Sequence, residues 1–381
     1  MLPKVLIIDV GGWGGITHYT YNLMQALSQS EDFEWILLTD RAYEMEKFPR
    51  SFILIKEPLR NESYIQAAWR IVKTIIFIRP RLIHVQTMLT ARRDWILFLI
   101  GRIFNINIVY TAHNIMPHED LEKEALFMKA AFRIIYGCSK KIIVHSAYSK
   151  NSLIGLFKVP EKKINIIPHG NYLFMRTKEI PQSEARKRLD IPSDAKVVLH
   201  FGAVRPYKGI DTLLHAFKEL AKAHDDVLLL VVGKAMNIDI GYYEDMANKL
   251  GLGARVIFRD EYISFEEIPA YFFASDIAVF PYKDIDMSGS LQLAYAFAKP
   301  VVATRSGGLV EVVEEGRNGI TVQPGDTQAF SKAMEKILYN EDLKLRMGEA
   351  SFRMATSDFS WTEIAHKTAD VYRGLTKKWQ S

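Results

Sequence analysis

The sequence has almost no cysteine and no long hydrophobic run. Its 381 residues include a single cysteine, Cys138, so it can form neither an internal disulfide nor a cysteine-based zinc site. The densest apolar run, residues 95–100, ends at Gly101-Arg102, far short of the roughly 20 residues that cross a bilayer. One lysine precedes the β-branched run 5–10, which predicts a buried strand and no secretory signal. These absences favour a cytoplasmic protein, and no spacing of His, Asp and Glu predicts a metal site.

The length and composition are typical of a folded protein with two or three domains. Hydrophobic residues make up 49% of the chain and charged residues 24%, which argues against disorder and against a coiled coil. Short β-branched runs alternate with segments of helix length, the pattern of parallel sheets covered by helices. Predicted strands are residues 5–10, 33–39, 52–55, 82–85, 106–112, 141–145 and 163–167, then 196–201, 227–232, 256–259, 277–280 and 300–303. The predicted fold class is α/β, with two doubly wound domains.

The join between the two arrays is marked by Pro168-His169-Gly170-Asn171. We predict an N-terminal domain over residues 1–170 and a C-terminal domain over residues 171–360. A final helix with a polar tail is predicted over residues 361–381.

The net charge of +5 is unevenly distributed along the chain. Residues 1–170 hold the excess of cations, and the rest of the chain has slightly more carboxylates than cations. Part of the excess lies in segments 67–81 and 91–102, where Arg and Lys alternate with Trp, Phe and Ile. Such segments can lie on an anionic membrane surface; the alternative is a core helix whose charges face solvent. No recognisable motif accompanies the charge to predict a nucleic-acid partner.

Two segments of the second array could bind phosphate. After a strand that ends at Gly202, a short loop presents Arg205 and Lys208 before a helix begins. A guanidinium and an ammonium at this spacing suit a diphosphate, and the alternative is two solvated loop cations. The run Ser288-Gly289-Ser290 precedes a short apolar helix, where free N–H groups and the helix dipole favour an anion. The alternative there is ordinary capping by a serine.

Two segments of the first array also follow strands. The run Gly11-Gly12-Trp13-Gly14-Gly15 lets the backbone approach a ligand closely, or is simply a glycine-rich turn. Its spacing is not that of a dinucleotide-binding motif. His113, at the next such strand end, could hydrogen-bond a sugar hydroxyl, or it is a structural histidine.

In this order along the chain, these segments resemble the retaining glycosyltransferases of family 4, which have the GT-B fold. Nearly the whole chain takes part in the resemblance, and the second half is the more diagnostic. The segments that carry it are the glycine-rich turn, Thr111-Ala112-His113-Asn114, the Arg205/Lys208 loop, Ala274-Ser275-Asp276, and residues 299–304, 305–313 and 316–319. The resemblance implies two Rossmann-like domains facing a cleft, with acceptor on the first and nucleotide-sugar on the second. It also implies that the final helix crosses back to the first domain.

The resemblance also implies roles for single residues. Arg205 and Lys208 would neutralise the donor diphosphate and support catalysis, together with His113 on the transferred sugar. Other implied donor contacts are Gly14, Gly15, Gly202, Ser288, Gly289 and Ser290, and a loop for the nucleobase would include Arg259, Glu261 and Tyr262.

The chain departs from the family pattern at one place. Two glutamates eight residues apart are usual in the family, and the corresponding positions here are Ile285 and Leu293. Asp286 and Gln292 lie beside them and could substitute after a shift of one residue. The sugar preference and the ribose contact therefore stay open.

The function implied is transfer of a hexose from a UDP- or GDP-linked sugar to a glycan or lipid-linked acceptor, with retention of configuration and without a metal or other cofactor. The setting would be cell-surface polysaccharide or glycolipid assembly, at the inner face of the membrane. Two alternatives remain at this point: a sugar-nucleotide epimerase of the same architecture, and a non-catalytic subunit that binds a nucleotide-sugar.

Overall fold

The structure is a computed structural model that describes residues 2–116 and 125–376. It divides into two compact units: residues up to Gly170 together with those from Ser360 onward, and Asn171–Phe359. The predicted polar tail after Thr376 lies outside the described residues. No helix in the described ranges is long and apolar enough to cross a membrane.

The first unit has a parallel sheet of seven strands in the order β3-β2-β1-β4-β5-β6-β7. Its strands are β1 (Lys4–Asp9), β2 (Glu34–Asp40), β3 (Ile53–Glu57), β4 (Leu82–Val85), β5 (Asn107–Thr111), β6 (Lys141–Val144) and β7 (Ile164–Ile166). Its helices are α1 (Gly14–Leu27), α2 (Tyr64–Ile78), α3 (Ala91–Ile103), α4 (Ala125–Cys138), α5 (Ala147–Phe157) and, from the end of the chain, α13 (Trp361–Thr376).

Helix α2 shows how local sequence sets these boundaries. Ser63 caps its start and accepts from the N–H of Gln66, whose side chain returns to the Ser63 backbone. Its end is a left-handed Arg79 followed by Pro80, which cannot continue a helix.

Helix α13 belongs to the first unit although it comes after the second in the chain. The Tyr372 hydroxyl is hydrogen-bonded to Nδ1 of the buried His84 on β4. Arg373 pairs with Asp32 at 2.7 Å. These contacts hold α13 to the first sheet.

The second unit has a parallel sheet of six strands in the order β10-β9-β8-β11-β12-β13. Its strands are β8 (Lys196–Phe201), β9 (Val227–Val232), β10 (Val256–Arg259), β11 (Ile277–Phe280), β12 (Val301–Thr304) and β13 (Gly319–Val322). Its helices are α6 (Gln182–Arg188), α7 (Ile210–Ala223), α8 (Ile240–Lys249), α9 (Ile268–Ala274), α10 (Gly289–Ala296), α11 (Thr327–Leu338) and α12 (Glu341–Thr356).

Buried Asp276, directly before β11, ties several elements of the second unit together. Its carboxylate accepts from Arg186 of α6 at 2.9 Å and from the backbone N–H of Val197 at 2.7 Å. Lys344 of α12 lies 3.2 Å away. A buried carboxylate with this many donors fixes the position of α6 and α12 against the sheet.

Both sheets are doubly wound, and each has one point where the strand order reverses. That point lies between β1 and β4 in the first unit and between β8 and β11 in the second. Ligands of open α/β sheets bind outside the carboxyl ends of the strands at such a point. The loops after these four strands are therefore the expected position of a ligand site.

Candidate functional site

The loop after β8 and the start of α10 are in direct contact. Gly202 has φ +118°, and a Cβ at this position would lie 2.5 Å from Oγ of Ser290. A side chain at residue 202 would therefore displace Ser290. The structure thus brings together the two segments of the second unit that the sequence suggested for phosphate binding.

Lys208 is a buried cation at the switch point of the second sheet. It is the last residue of a short 3-10 turn, and it is 8% exposed. Its Nζ lies 3.8 Å from the centre of the Tyr282 ring, on the loop after β11. Within residues 2–116 and 125–376 no carboxylate forms an ion pair with this Nζ. Burial, with a smaller contribution from Arg205, lowers the pKa of Lys208 to about 7.

The loop after β8 and the loop after β11 approach each other closely at Gly209. Gly209 has φ +70°, and a Cβ there would overlap the carbonyl oxygen of Pro281. Only glycine combines this backbone conformation with this approach. The position of Lys208, one residue earlier, follows from that contact.

Arg205 is the partly exposed member of the cation pair. It begins the 3-10 turn that ends at Lys208, and its Nη2 lies 3.3 Å from Sδ of Met236. Because the charge of Arg205 contributes to the lowered pKa of Lys208, the two cations act on each other. An anion near both would relieve that repulsion.

Ser288 caps α10, which agrees with the alternative of ordinary capping by a serine. It is 2% exposed, and its Oγ accepts from the N–H of Leu291 at 3.3 Å. The helix begins at Gly289, so Gly289 and Ser290 form its first turn. The N–H groups of a first turn have no acceptor within the helix; Ser288 occupies that of Leu291, so the N–H groups of Gly289 and Ser290 are the ones that could bind an anion.

The side-chain amide of Gln292, on α10, is fully buried. Neither its Oε1 nor its Nε2 has one among the residues that the structure describes. Nε2 of buried His200, at the end of β8, is in the same condition. Asp286, on the loop before α10, is 5% exposed. Buried polar atoms are almost always satisfied, so the amide of Gln292 and Nε2 of His200 point to a ligand of the second unit.

The predicted base loop lies at the end of β10, beside the β8 loop. The carbonyl of Arg259 accepts from the N–H of Gly233 at 2.9 Å. A Cβ at Gly233 would overlap the carbonyl of Gly202, which places the ends of β8, β9 and β10 side by side. Glu261 and Tyr262 follow on the surface.

In the first unit, the glycine-rich turn already holds a carboxylate. The N–H of Gly14 donates to Oε2 of Glu44 at 2.8 Å, and the N–H of Glu44 donates to the carbonyl of Gly12. His18 lies 3.0 Å from the same carboxylate oxygen. A phosphate bound at Gly14 would have to take the place of Glu44.

His113 belongs to a buried cluster of histidines. Its Nδ1 lies 3.0 Å from Nε2 of His145, and its Nε2 lies 2.9 Å from Oε1 of Gln86. Burial and the neighbouring imidazoles lower the pKa of His113 well below its ordinary value. Both ring nitrogens are therefore occupied within the unit, and a sugar hydroxyl would have to displace one of these partners.

Sequence reasoning missed the neighbours of His113. Gln86, His145 and His169 each follow the end of a strand. The Tyr19 ring packs on His113, His145 and His169 at centroid distances of 4.9–5.3 Å. Comparing the residues that follow each predicted strand would have found them, because the carboxyl ends of parallel strands meet at one edge. No cluster of His, Cys, Asp and Glu suited to a metal ion occurs in the described part of the chain.

Comparison with known proteins agrees with this architecture. A model of "Glycosyltransferase Family 4" matches residues 13–171, and a model of "Glycosyl transferases group 1" matches residues 181–354. Anabaena HepE, solved with UDP and glucose, superposes with a TM-score of 0.79 at 19% identity, over 97% of this chain and 99% of HepE. Sucrose-phosphate synthase from Thermosynechococcus elongatus superposes with a TM-score of 0.80 at 22% identity, over 99% of this chain and 100% of the synthase. The fold is GT-B, as the sequence predicted.

The curated relatives are similar to this chain at 24–27% sequence identity. D-inositol 3-phosphate glycosyltransferase of Corynebacterium diphtheriae is 27% identical over 312 residues, which cover 77% of this chain and 71% of the relative. Its namesake from Xylanimonas cellulosilytica is 24% identical, over 84% of this chain and 76% of the relative. The chain belongs to glycosyltransferase family 4, and the predicted resemblance is confirmed. The protein is thus a glycosyltransferase.

Proposed function

We propose that the enzyme transfers a hexose from a UDP- or GDP-linked sugar to a glycan or lipid-linked acceptor, with retention of configuration. The observation that carries the donor part is Lys208, a buried cation that is stacked on Tyr282 and has no carboxylate partner in the described residues. A buried charge is costly unless it is paired, so its natural partner is a ligand anion.

The diphosphate of the donor is proposed to lie between the cation pair and the start of α10. Arg205 offers a two-pronged guanidinium, Lys208 offers a point charge, and the first turn of α10 offers N–H groups. The contact between Gly202 and Ser290 keeps these groups on neighbouring elements.

The hexose is proposed to satisfy the unpartnered amide of Gln292. This amide can donate two hydrogen bonds and accept others, which suits sugar hydroxyls. Asp286 would accept from a further hydroxyl. These two residues would take the place of the family's usual glutamates. His113, Gly14 and Gly15 are proposed to contact the sugar and the phosphates from the first unit.

The proposed reaction needs stabilisation of the leaving diphosphate. The bond between the anomeric carbon and the diphosphate oxygen breaks, and a bond to the acceptor oxygen forms on the same face of the sugar. The proton of the acceptor hydroxyl passes to the departing phosphate, so no separate base is required. Arg205, Lys208 and the α10 N-terminus supply the electrostatic stabilisation as charge develops, without a metal in this proposal.

The base of the donor is proposed to be held by the segment of Arg259, Glu261 and Tyr262. HepE was solved with UDP-glucose, at a TM-score of 0.79, which makes UDP and UDP-glucose the first ligands to test. The curated relatives are named for inositol 3-phosphate, which makes a small phosphorylated polyol the acceptor to test beside lipid-linked ones.

Peripheral membrane contact through the first unit is part of the proposal. On α2, Trp69 and Phe77 are 63% and 86% exposed; Ile103, the last residue of α3, and Phe104, which follows it, are 71% and 73% exposed. Exposed aromatic and aliphatic groups among cations suit the interface of an anionic membrane. The purified protein is expected to pellet with anionic liposomes at low salt and less so at high salt; no pelleting at low salt would contradict this part.

The first experiment is thermal unfolding with UDP, GDP and ADP, and then with their sugars. A ligand at 100 times its Kd adds about 2.7 kcal/mol to the free energy of unfolding, an easily measured shift. We expect a shift with one nucleotide and its loss in Arg205→Ala, with a loss of kcat on the order of 10²–10³. No shift with any nucleotide would contradict the proposal. A shift without turnover over a broad panel of acceptors would favour a non-catalytic binding subunit.

A further inference from the structure

A large groove, apolar in most of its lining but with charged residues that include the buried Asp94, crosses one face of the first sheet. It has a volume of about 1730 Å³ and lies between α2, α3 and the strands β1, β4 and β5. Its walls include Ile71 and Ile75 of α2 and Leu97 and Phe98 of α3. Lining residues range from Pro3 at the amino edge of the sheet to the segment that follows β4 at the carboxyl edge. The groove therefore leads toward the edge where ligands of such sheets bind.

The open side of the groove has an apolar rim. Four of its lining side chains are exposed: Ile76 by 61%, Phe77 by 86%, Ile100 by 37% and Phe104 by 73%. Exposed apolar side chains that line one groove mark a candidate site of interaction. Hydrocarbon placed in the groove would remove this surface from water.

A smaller polar cavity adjoins the groove at the carboxyl edge. It has a volume of about 360 Å³ and shares Val10, Met88 and Leu89 with the groove. Gly11 of the glycine-rich turn and Arg60 also line it. The two spaces therefore adjoin along these three residues, and the polar one lies nearer the glycine-rich turn.

Arg60 is the one cation among the described residues that line the polar cavity, and its charge also interacts with the carboxylate of Asp40. Glu62 lines it, but its carboxylate is held by Arg70 at 2.7 Å. The guanidinium of Arg60 lies 5.0 Å from the centre of the Trp13 ring and forms no ion pair within the described ranges. An anionic group in this cavity would meet Arg60 beside the glycine-rich turn.

We infer that the groove binds the hydrocarbon chain of a lipid-linked acceptor, and that the polar cavity binds its phosphate-bearing head. The inference rests on the proposed function and specifies its acceptor: an amphiphile with one long hydrocarbon chain and an anionic phosphate or diphosphate. A hydrocarbon chain brings no polar groups that the apolar walls would leave unsatisfied. The guanidinium of Arg60 in the polar cavity favours a negatively charged head group.

The test uses n-alkyl phosphates with 6 to 12 carbons, below their micelle concentrations, with binding measured by calorimetry on the whole protein. Each methylene that enters the groove should strengthen binding about fourfold, until the groove is filled and the affinity levels off. Affinity that does not depend on chain length would overturn the inference. This series uses the unaltered protein, so it tests the inference even if a substitution disturbs folding.

Matched variants locate the site. Leu97→Trp places a large side chain in the groove, and we expect it to weaken the longest alkyl phosphates at least tenfold. Ile96→Trp makes the same kind of change one residue earlier on α3, at a position that does not line the groove, and should have no such effect. Equal effects of the two would overturn the inference. Arg60→Gln should reduce the preference for alkyl phosphates over alkyl alcohols, whereas Arg50→Gln, outside both cavities, should not.

Nucleotide binding on the same samples separates this inference from the proposed function. A thermal shift with UDP or GDP but no binding of alkyl phosphates overturns the groove assignment and leaves the donor proposal standing. Binding of alkyl phosphates without any nucleotide shift supports the groove and contradicts the donor proposal. Pelleting with anionic vesicles that depends on Phe77 and Phe104, without binding of monomeric alkyl phosphates, would make the face a membrane contact and overturn the inference.

Discussion

The Nζ of Lys208 lies 3.8 Å from the centre of the Tyr282 ring. The lysine is on the loop after β8 and the tyrosine on the loop after β11, so the contact spans the switch point of the second sheet. A ring face stabilises a cation without neutralising its charge. The positive charge therefore stays available to an anion. Loss of solvation on burial makes the charged form less favourable, and this lowers the pKa of Lys208 to about 7.

Binding of a nucleotide-sugar should weaken as the pH rises above 7. In the free protein the pKa of Lys208 is lowered to about 7, so Lys208 loses its proton as the pH passes that value. A diphosphate favours the charged form and raises this pKa, so binding takes up a proton. We expect the Kd for UDP-glucose to rise by up to about tenfold per pH unit between pH 7 and 9. Calorimetry in two buffers of different ionisation enthalpy measures both Kd and proton uptake.

A variant with a permanent charge is the control for this dependence. Lys208→Arg keeps a cation that does not titrate in this range, so the slope of Kd against pH should disappear even if the affinity falls. An unchanged slope in Lys208→Arg would assign the dependence to another group.

Gly209→Ala should destabilise the second unit far more than Gly251→Ala. Both glycines have positive φ, +70° and +75°, so alanine is strained at either position by about 1–2 kcal/mol. At Gly209 a Cβ also overlaps the carbonyl of Pro281, whereas at Gly251 no described atom lies within 4 Å. Thermal unfolding of the two variants tests this, and UDP binding should suffer only in Gly209→Ala. Equal losses of stability would mean that the loop after β11 gives way freely.

Gln292→Leu should leave the free protein as stable as before, or more stable, while weakening donor binding. The substitution removes two buried polar atoms that have no partners in the described residues. Asn318→Leu is the matched contrast, because Asn318 is equally buried but bonds to the Tyr295 hydroxyl at 2.9 Å and the Val312 carbonyl at 3.0 Å. That variant should lose about 1–3 kcal/mol in the free energy of unfolding. A strong loss of stability in Gln292→Leu would show that its amide is satisfied within the protein.

Tyr372→Phe should destabilise the first unit by about 1–3 kcal/mol, because Nδ1 of buried His84 would lose its partner. Tyr43→Phe is the control: its hydroxyl is buried and has no partner among the described residues, so its removal should cost nothing. Chemical denaturation of both variants measures the difference. Equal midpoints for the two would argue that the bond to His84 contributes little.

Most of the fold could be predicted from local pattern. The strands β4, β8, β9, β10 and β11 begin and end at the predicted residues, because runs of β-branched and other apolar residues mark them. Strand β13 (Gly319–Val322) was not predicted. It is short and begins at a glycine, and its pairing with β12 rather than its own composition makes it a strand.

The candidate site was predictable in its parts but not in its contacts. The sequence suggested Arg205, Lys208 and Ser290 from local motifs, and the structure brings the loop and the helix together. The burial of Lys208 under Tyr282 depends on residues 74 positions apart, which no local pattern encodes. The hydrogen bond between Gly14 and Glu44 and the two partners of His113 could not be predicted either, because these contacts also join residues that are far apart in the sequence.

The chain leaves the first unit after Gly170 and returns to it at Ser360. Within the first unit, a Cβ at Gly170 would lie 2.5 Å from the Trp361 ring; within the second, the N–H of Asn171 donates to the carbonyl of Phe359 at 2.9 Å. The second unit is therefore an insertion in the first. On the ribosome, the seven strands of the first sheet emerge early, but Tyr372 can reach His84 only after the whole insertion has been made. The first unit is therefore the first to leave the ribosome and the last to be completed. A gene fragment that ends at Gly170 encodes the seven-stranded sheet without helix α13.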